Sequence, residues 1–317
     1  MGISSFKTGS MKRSFLAGNT AYIPEYSNPA ARGLFGLGAN PENPNYSNVI
    51  DYVTIATLGN AIDFGDATQA RDSRPAAVAS STRGVFAGGS TNTFQNTMDY
   101  VTIATAGNAI DFGDYVAANQ TFSGAGSETR GVMGGGYDGS SVRTDYRYIT
   151  IATTGNTTNF GTMHNNSSNN MALAGGTRAI WAGDYLDSNQ IEYITIATTG
   201  NGTDFGDLTV GRSFGGAASS SIRGLIAGGY NGAYQNVIDY ITIATTGNAV
   251  DFGDLLTTAN RSGSGTSNSI RAIFHVISNE ITYVTINTLG NSIDFGDLTT
   301  TPNTEVALSN GHGGLAA

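Results

Sequence analysis

The tripeptide Asp-Phe-Gly starts at Asp63, Asp111, Asp204, Asp251 and Asp294, and appears once more as Asn159-Phe160-Gly161. In protein kinases such an aspartate holds magnesium, but only beside a glycine-rich loop, a lysine and a catalytic loop. The chain has no such companions, and a catalytic motif is not needed five times. The expected role is structural, a turn in which the aspartate accepts backbone N–H bonds. The following aspartates, Asp66, Asp114, Asp207, Asp254 and Asp297, would suit a cation only within an oxygen-ligand loop, and no known spacing of that kind surrounds them. His164, His275 and His312 lie far apart, and with no cysteine neither a copper oxidase site nor a zinc site has its donors. Arg83, Arg130, Arg178, Arg223 and Arg271 recur at one fixed position of a repeat, which points to inter-strand hydrogen bonds rather than a substrate clamp. No cofactor or metal is expected, and the chain is read as a non-enzyme.

A second set of residues suits recognition. Tyr46, Phe94, Tyr137, Tyr185, Tyr230 and Tyr234 stand in variable segments among Asn, Gln, Asp and Ser. Aromatic faces beside amide hydrogen-bonding groups fit sugars or protein surfaces, so these six are the candidate binding residues. Repeat proteins commonly gather such loops on one face.

The elements that must carry these residues come from a phrase written six times. Tyr52 to Asp66 reads YVTIATLGNAIDFGD, and near copies begin at Tyr100, Tyr148, Tyr193, Tyr240 and Tyr283. Its phenylalanines, Phe64, Phe112, Phe160, Phe205, Phe252 and Phe295, are spaced by 48, 48, 45, 47 and 43 residues. A period of about 40–50 residues means units too small to bury a core alone. Each unit reads as four strands. Strand a is a run of small residues suited to a crowded axis. Strand b is the Arg-Gly-apolar run ending in glycine, such as Arg83 to Gly89. Strand c is the alternating, β-branched Tyr-Thr-Ile run. The Gly-Asn pair, as in Gly59-Asn60, is read as the hairpin turn into strand d, Ala-Ile-Asp-Phe-Gly-Asp. Six such units predict an all-β, six-bladed propeller with four antiparallel strands per blade. The first unit lacks strand a, and Glu305 to Asn310 resembles one, so a C-terminal strand is expected to close the ring. The a–b and c–d turns, nearly alike in every unit, should share one face. The variable b–c and d–a loops should share the other.

The expected boundaries are an N-terminal attachment segment over 1–31, the propeller over 32–310 and a tail over 311–317. Lys7, Lys12 and Arg13 make the leader locally basic within a chain of formal charge −9. That balance, without a basic cluster, excludes phosphate-driven binding of nucleic acid. No run of about 18 apolar residues is present to span a membrane, and no signal-peptide pattern opens the chain.

The order Gly88-Gly89, Tyr100, Phe112, then a glycine-rich run into Arg130, resembles kelch-type propellers. It departs from them in using Phe for the usual Trp, in Gly183-Asp184, and in His275-Val276 where a Gly doublet is expected. The wording TIATTGN followed by DFGDL is similar to propeller repeats in structural and tail-fibre-like proteins of marine tailed phages, particularly cyanophages. The leader run Phe15 to Pro24 also looks like the start of such virion proteins. The resemblance implies a virion protein, of tail-fibre or decoration type, present in multiple copies. It would bind other virion proteins through its leader and a host-surface glycan or protein through its loops. A bacterial surface lectin and a glycan-processing propeller enzyme are the alternatives.

Overall fold

The computed structural model describes residues 31–39, 46–258 and 263–315, with Ile277 described for its backbone only. The 1–30 part of the expected attachment segment lies outside the described residues, as does part of the first b–c loop. Among the described residues twenty-four strands form six separate four-stranded antiparallel sheets, giving a six-bladed β-propeller. Blade 2 is typical. Its strands run from the axis outward as a (Ala76–Ala79), b (Arg83–Ala87), c (Thr97–Thr102) and d (Ile110–Asp114). Among the described residues the one helical element is a single 3₁₀ turn, Gly313–Leu315, and no helix is long and apolar enough to cross a membrane.

The ring closes as the sequence predicts. Val306–Ser309 pairs antiparallel with Arg32–Gly36, with Leu34 opposite Leu308. Blade 1 is therefore built from both ends of the chain, which leaves no open seam between first and last blades. Inner strands such as Gly216–Ser219 and Ser264–Ser267 are made of small residues because six of them converge on one axis. A Cβ at Gly265 would lie 2.6 Å from the Ala217 carbonyl oxygen of the neighbouring blade. Strand b is buried beyond its first residue in every blade where its side chains are described.

The core is six inter-blade clusters. Phe112, 1 % exposed, packs with Val85 and Met98 of its own blade and with Met133 and Ile149 of the next. Phe252 likewise packs between blades 5 and 6.

Asp-Phe-Gly proves to be a β-bulge rather than a turn. Asp99 pairs with Asp111 and Met98 with Gly113, so Phe112 is the extra residue on strand d. The same shift recurs in all six blades. An extra residue turns a side chain toward the opposite face. Here it sends the phenylalanine inward.

The Gly-Asn pair is not the hairpin turn either. The chain reverses earlier, where Thr57 N donates to Thr54 O at 3.1 Å. Gly-Asn instead lies on strand d of the preceding blade. Gly107 N donates to Phe64 O at 2.7 Å, and Asn108 Oδ1 accepts the Asp66 N–H at 3.1 Å. The accepting oxygen of this contact thus belongs to asparagine, contrary to the aspartate role expected from sequence. Equivalent pairs join all six interfaces, including Asn60 Oδ1 with Asp297 N across the closure at 3.2 Å.

The recurring arginines also act between blades rather than between strands. Arg83 Nη1 donates to Ile151 O of blade 3 at 3.0 Å while its guanidinium stacks 4.1 Å from the Tyr100 ring centroid. Arg271 does the same from blade 6 to Ile55 of blade 1. Each tyrosine in turn stands edge-on to the Phe of its own strand d, 6.0 Å away for Tyr100 and Phe112.

Candidate binding face

The b–c and d–a loops do share one face. Isolated bridges tie one kind of loop to the other: Asp72 with Ser90, Gln120 with Tyr137, and Ser213 with Tyr230. The a–b and c–d turns occupy the opposite face.

The loop face splits the six candidate aromatics into three groups rather than gathering them. On blades 1 to 3 they form a ridge. Tyr46 Oη donates to Asn92 Oδ1 at 3.0 Å, and Phe94 meets Tyr137 edge-on with centroids 5.9 Å apart. Gly139 lets this ridge close, since a Cβ there would sit 2.6 Å from Phe94. On blade 5, Tyr230 and Tyr234 pair at 5.6 Å, and Tyr234 is 48 % exposed. On blade 4, Tyr185 and Leu186 project outward, held by Asp184 Oδ1, which accepts Leu186 N at 2.7 Å and Ser188 N at 3.2 Å.

Two of these loops are braced in the same way. Gln95 Nε2 donates to Thr93 O at 2.8 Å, and Gln235 Nε2 donates to Ala233 O at 3.1 Å. Phe94 and Tyr234 thus occupy equivalent tips of preformed loops, a state that reduces the ordering cost of binding.

Beneath the loops lies a layer of buried charge that the sequence reading missed. Asp51, Asp99, Glu192 and Asp239 directly precede the strand c tyrosines and are all buried. Each holds the segment that follows the phenylalanine of the preceding blade, the end of strand d for Asp99 and the d–a loop for the other three. Asp99 pairs with Arg71, and Asp239 pairs with Arg212 at 2.9 Å, all four side chains fully buried. Asp51 accepts Thr299 N at 2.8 Å, and Glu192 accepts His164 N at 2.9 Å and the Tyr146 hydroxyl. Burial raises the pKa values of Asp51, Asp99 and Glu192 and outweighs their bonding partners. A signal was present in the sequence: Arg71 and Arg212 each follow the blade phenylalanine by seven residues and precede the paired aspartate by 28 and 27.

Two voids of about 60 and 50 Å³ lie along the axis, room for water-sized occupants. At the loop face Arg74 reaches across the axis and donates to Gly215 O at 3.0 Å. Burial lowers its pKa to about 10, opposed by the Glu305 carboxylate. At the turn face residues 311–315 of the expected tail fold into the channel. His312 Nε2 is 3.0 Å from Ala79 O, and Gly313 and Gly314 are buried. Serines line the wall between: Ser267 Oγ donates to Ser219 O at 2.8 Å, and Ser309 Oγ to Ser267 O at 2.6 Å.

The three histidines lie in three places. His164 is exposed on the loop face, His275 is buried against Glu305, and His312 is at the turn face. Among the described residues no three His, Asp or Glu come together as metal ligands.

The fold and the loop face define the class, a six-bladed β-propeller with one uniform and one diversified face. No protein-family model matches the chain, and a search of curated proteins finds no match.

Proposed function

We propose that the chain is a non-enzymatic virion protein of a tailed phage, of tail-fibre-like or decoration type, that binds with its loop face and is held from its turn face. The observation that carries this reading is polarity. Ala31 enters the fold at the turn face, where its carbonyl accepts Ile55 N at 2.9 Å, and His312 to Leu315 end there too. Both approaches to the propeller therefore lie opposite the variable loops. An anchored module that presents its variable face outward needs this arrangement.

Three further features support it. The axis is crossed at the loop face by Arg74 and occupied at the turn face by His312, and the voids along it have room for water-sized occupants. The buried carboxylates are committed to holding neighbouring blades. The exposed aromatics sit on braced loops among amides, which suits a glycan or a protein surface. The repeated wording and its resemblance to kelch-like repeats of marine phage proteins supply the particle context.

The test is a pair of changes in a phage that encodes the chain: Tyr230→Ala with Tyr234→Ala, and separately deletion of residues 1–22. Mass spectrometry of purified particles measures incorporation, and adsorption assays measure attachment. The loop double variant should be incorporated normally and adsorb at least about tenfold more slowly, since aromatic anchors concentrate interface energy. The deletion should lower particle content. A loop variant that adsorbs normally but fails to incorporate would make the loop face an assembly surface. Absence of the chain from wild-type particles would remove the virion reading.

A further inference from the structure

The turn face is uniform in backbone but not in chemistry. At the first position of strand d, blades 1, 2, 5 and 6 carry Ile62, Ile110, Val250 and Ile293, each more than half exposed. Blades 3 and 4 carry Thr158 and Thr203 at that position. The residue before the glycine of Gly-Asn divides the blades more narrowly: Leu58 and Leu289, 58 % and 56 % exposed, on blades 1 and 6 and Ala106 on blade 2, but Thr154, Thr199 and Thr246 on blades 3, 4 and 5.

The Gly-Asn contacts make these apolar residues continuous. Gly290 N donates to Phe252 O, seating Leu289's turn on the strand that begins with Val250. Gly59 N donates to Phe295 O, seating Leu58's turn on the strand of Ile293. Gly107 N donates to Phe64 O, seating the smaller Ala106 on the strand of Ile62. An apolar arc therefore runs from blade 5 through 6 and 1 to 2, where a shallow groove of about 350 Å³ lined by blade 2 reaches Ile110. Each strand d residue of the arc is followed by an exposed carboxylate: Asp63, Asp111, Asp251 and Asp294.

We propose that this arc is the seat of the chain's own leader, residues 1–30. Three observations select this occupant. The leader joins the propeller in the middle of the arc, because Ala31 bonds to Ile55, three residues before Leu58. Its composition is the arc's complement. Phe6-Lys7, Met11-Lys12-Arg13 and Phe15-Leu16 set apolar beside basic, where the arc sets apolar beside acidic. Lys7 and Lys12 are the only lysines of the chain, and the leader's charge of +2 (three cations less Glu25) leaves −11 on the rest of a −9 chain. Two copies meeting arc to arc would instead oppose aspartates with aspartates. Length is no obstacle, since 30 residues reach up to roughly 100 Å when extended. This inference stands on the arc and the leader alone and does not require the virion reading.

The lysine distribution supplies the test. Carbodiimide coupling of the full-length wild-type protein joins lysine amines to nearby carboxylates, so every lysine crosslink reports the leader. Mass spectrometry should place Lys7 and Lys12 on Asp63, Asp111, Asp251 or Asp294 at least about fivefold more often than on Asp204, the exposed equivalent on polar blade 4. In an equal mixture of ¹⁴N and ¹⁵N protein the crosslinks should be unmixed. Replacing Leu58, Ile62, Leu289 and Ile293 with the threonine found on blades 3 and 4 should erase the preference. Crosslinks as frequent on Asp204, or none at all, would overturn the proposal without any variant. Mixed-isotope crosslinks would assign the arc to a neighbouring copy and overturn it equally.

Discussion

At the residue scale the repeated phrase is explained by its mating with itself. The Gly of Asp-Phe-Gly in one blade receives the Gly-Asn of the next, so both halves of the contact are written in every copy. In five blades this Gly has φ between 137° and 146°, in the region that favours glycine. At Gly113 a Cβ would lie 2.7 Å from the backbone carbonyl of Gly155, leaving neither conformation nor space for a side chain. Gly113→Ala should therefore cost more than about 3 kcal/mol, as clashes at special backbone positions do. Gly200→Ala, where a Cβ meets nothing within 4 Å, should stay within about 0.5 kcal/mol. Chemical denaturation of the two variants compares them directly. Equal effects would mean that the backbone contact is not what constrains the phrase. Phe112→Ala, which empties an inter-blade core site, should cost about 3–5 kcal/mol in the same measurement.

At the element scale the closing strand is held by more than its ladder. Glu305, immediately before that strand, accepts the Ser264 hydroxyl at 2.6 Å and meets His275 Nδ1 at 2.6 Å, both from blade 6. His275 Nε2 faces Ser278 O at 3.1 Å, so the ring lies between that carbonyl and the Glu305 carboxylate. Burial opposes the charged ring, but Glu305 and the Ser278 carbonyl outweigh it and raise the His275 pKa above the usual 6.5. A raised pKa means that the folded state binds the proton more tightly than the unfolded chain. The stabilisation is full below pH 6.5 and is lost as pH rises through the folded-state value. The melting temperature should therefore fall as pH rises above 6.5, and His275→Gln should flatten that component of the profile. An unchanged pH profile in the variant would separate His275 from ring closure.

At the scale of the whole molecule, stability depends on closure. Both ends of the chain contribute to blade 1, and every interface carries the same Arg, Gly-Asn and Phe contacts. Ending the chain after Asp297 removes the inner strand of blade 1 and the axial plug, exposing sheet edges. The truncated protein should aggregate, as measured by light scattering. A soluble truncation with an unchanged melting temperature would argue against the closed ring. The same closure gives the molecule two faces with different work, one carrying the chain's approaches and the other its variable loops.

Blade number, strand order, the small-residue axis and the closing strand were legible in the sequence, because periodicity and residue size act locally and recur six times. The division into a uniform and a variable face was legible for the same reason, since comparing copies within one chain separates turns from loops. What Asp-Phe-Gly and Gly-Asn do was not legible. Both were read as turn chemistry within one blade, whereas a bulge and a contact with the next blade give them their roles. The buried Arg71–Asp99 and Arg212–Asp239 pairs were missed because an exposed and a buried aspartate look alike until the neighbouring blade is in place. The candidate aromatics were found by type, but their separation into a ridge, a pair and a projecting tip follows from which blades carry them. Tertiary structure alone decided these points, because in a propeller the partners of a side chain lie one blade away, about 30 to 70 residues along the chain and more than 200 across the closure.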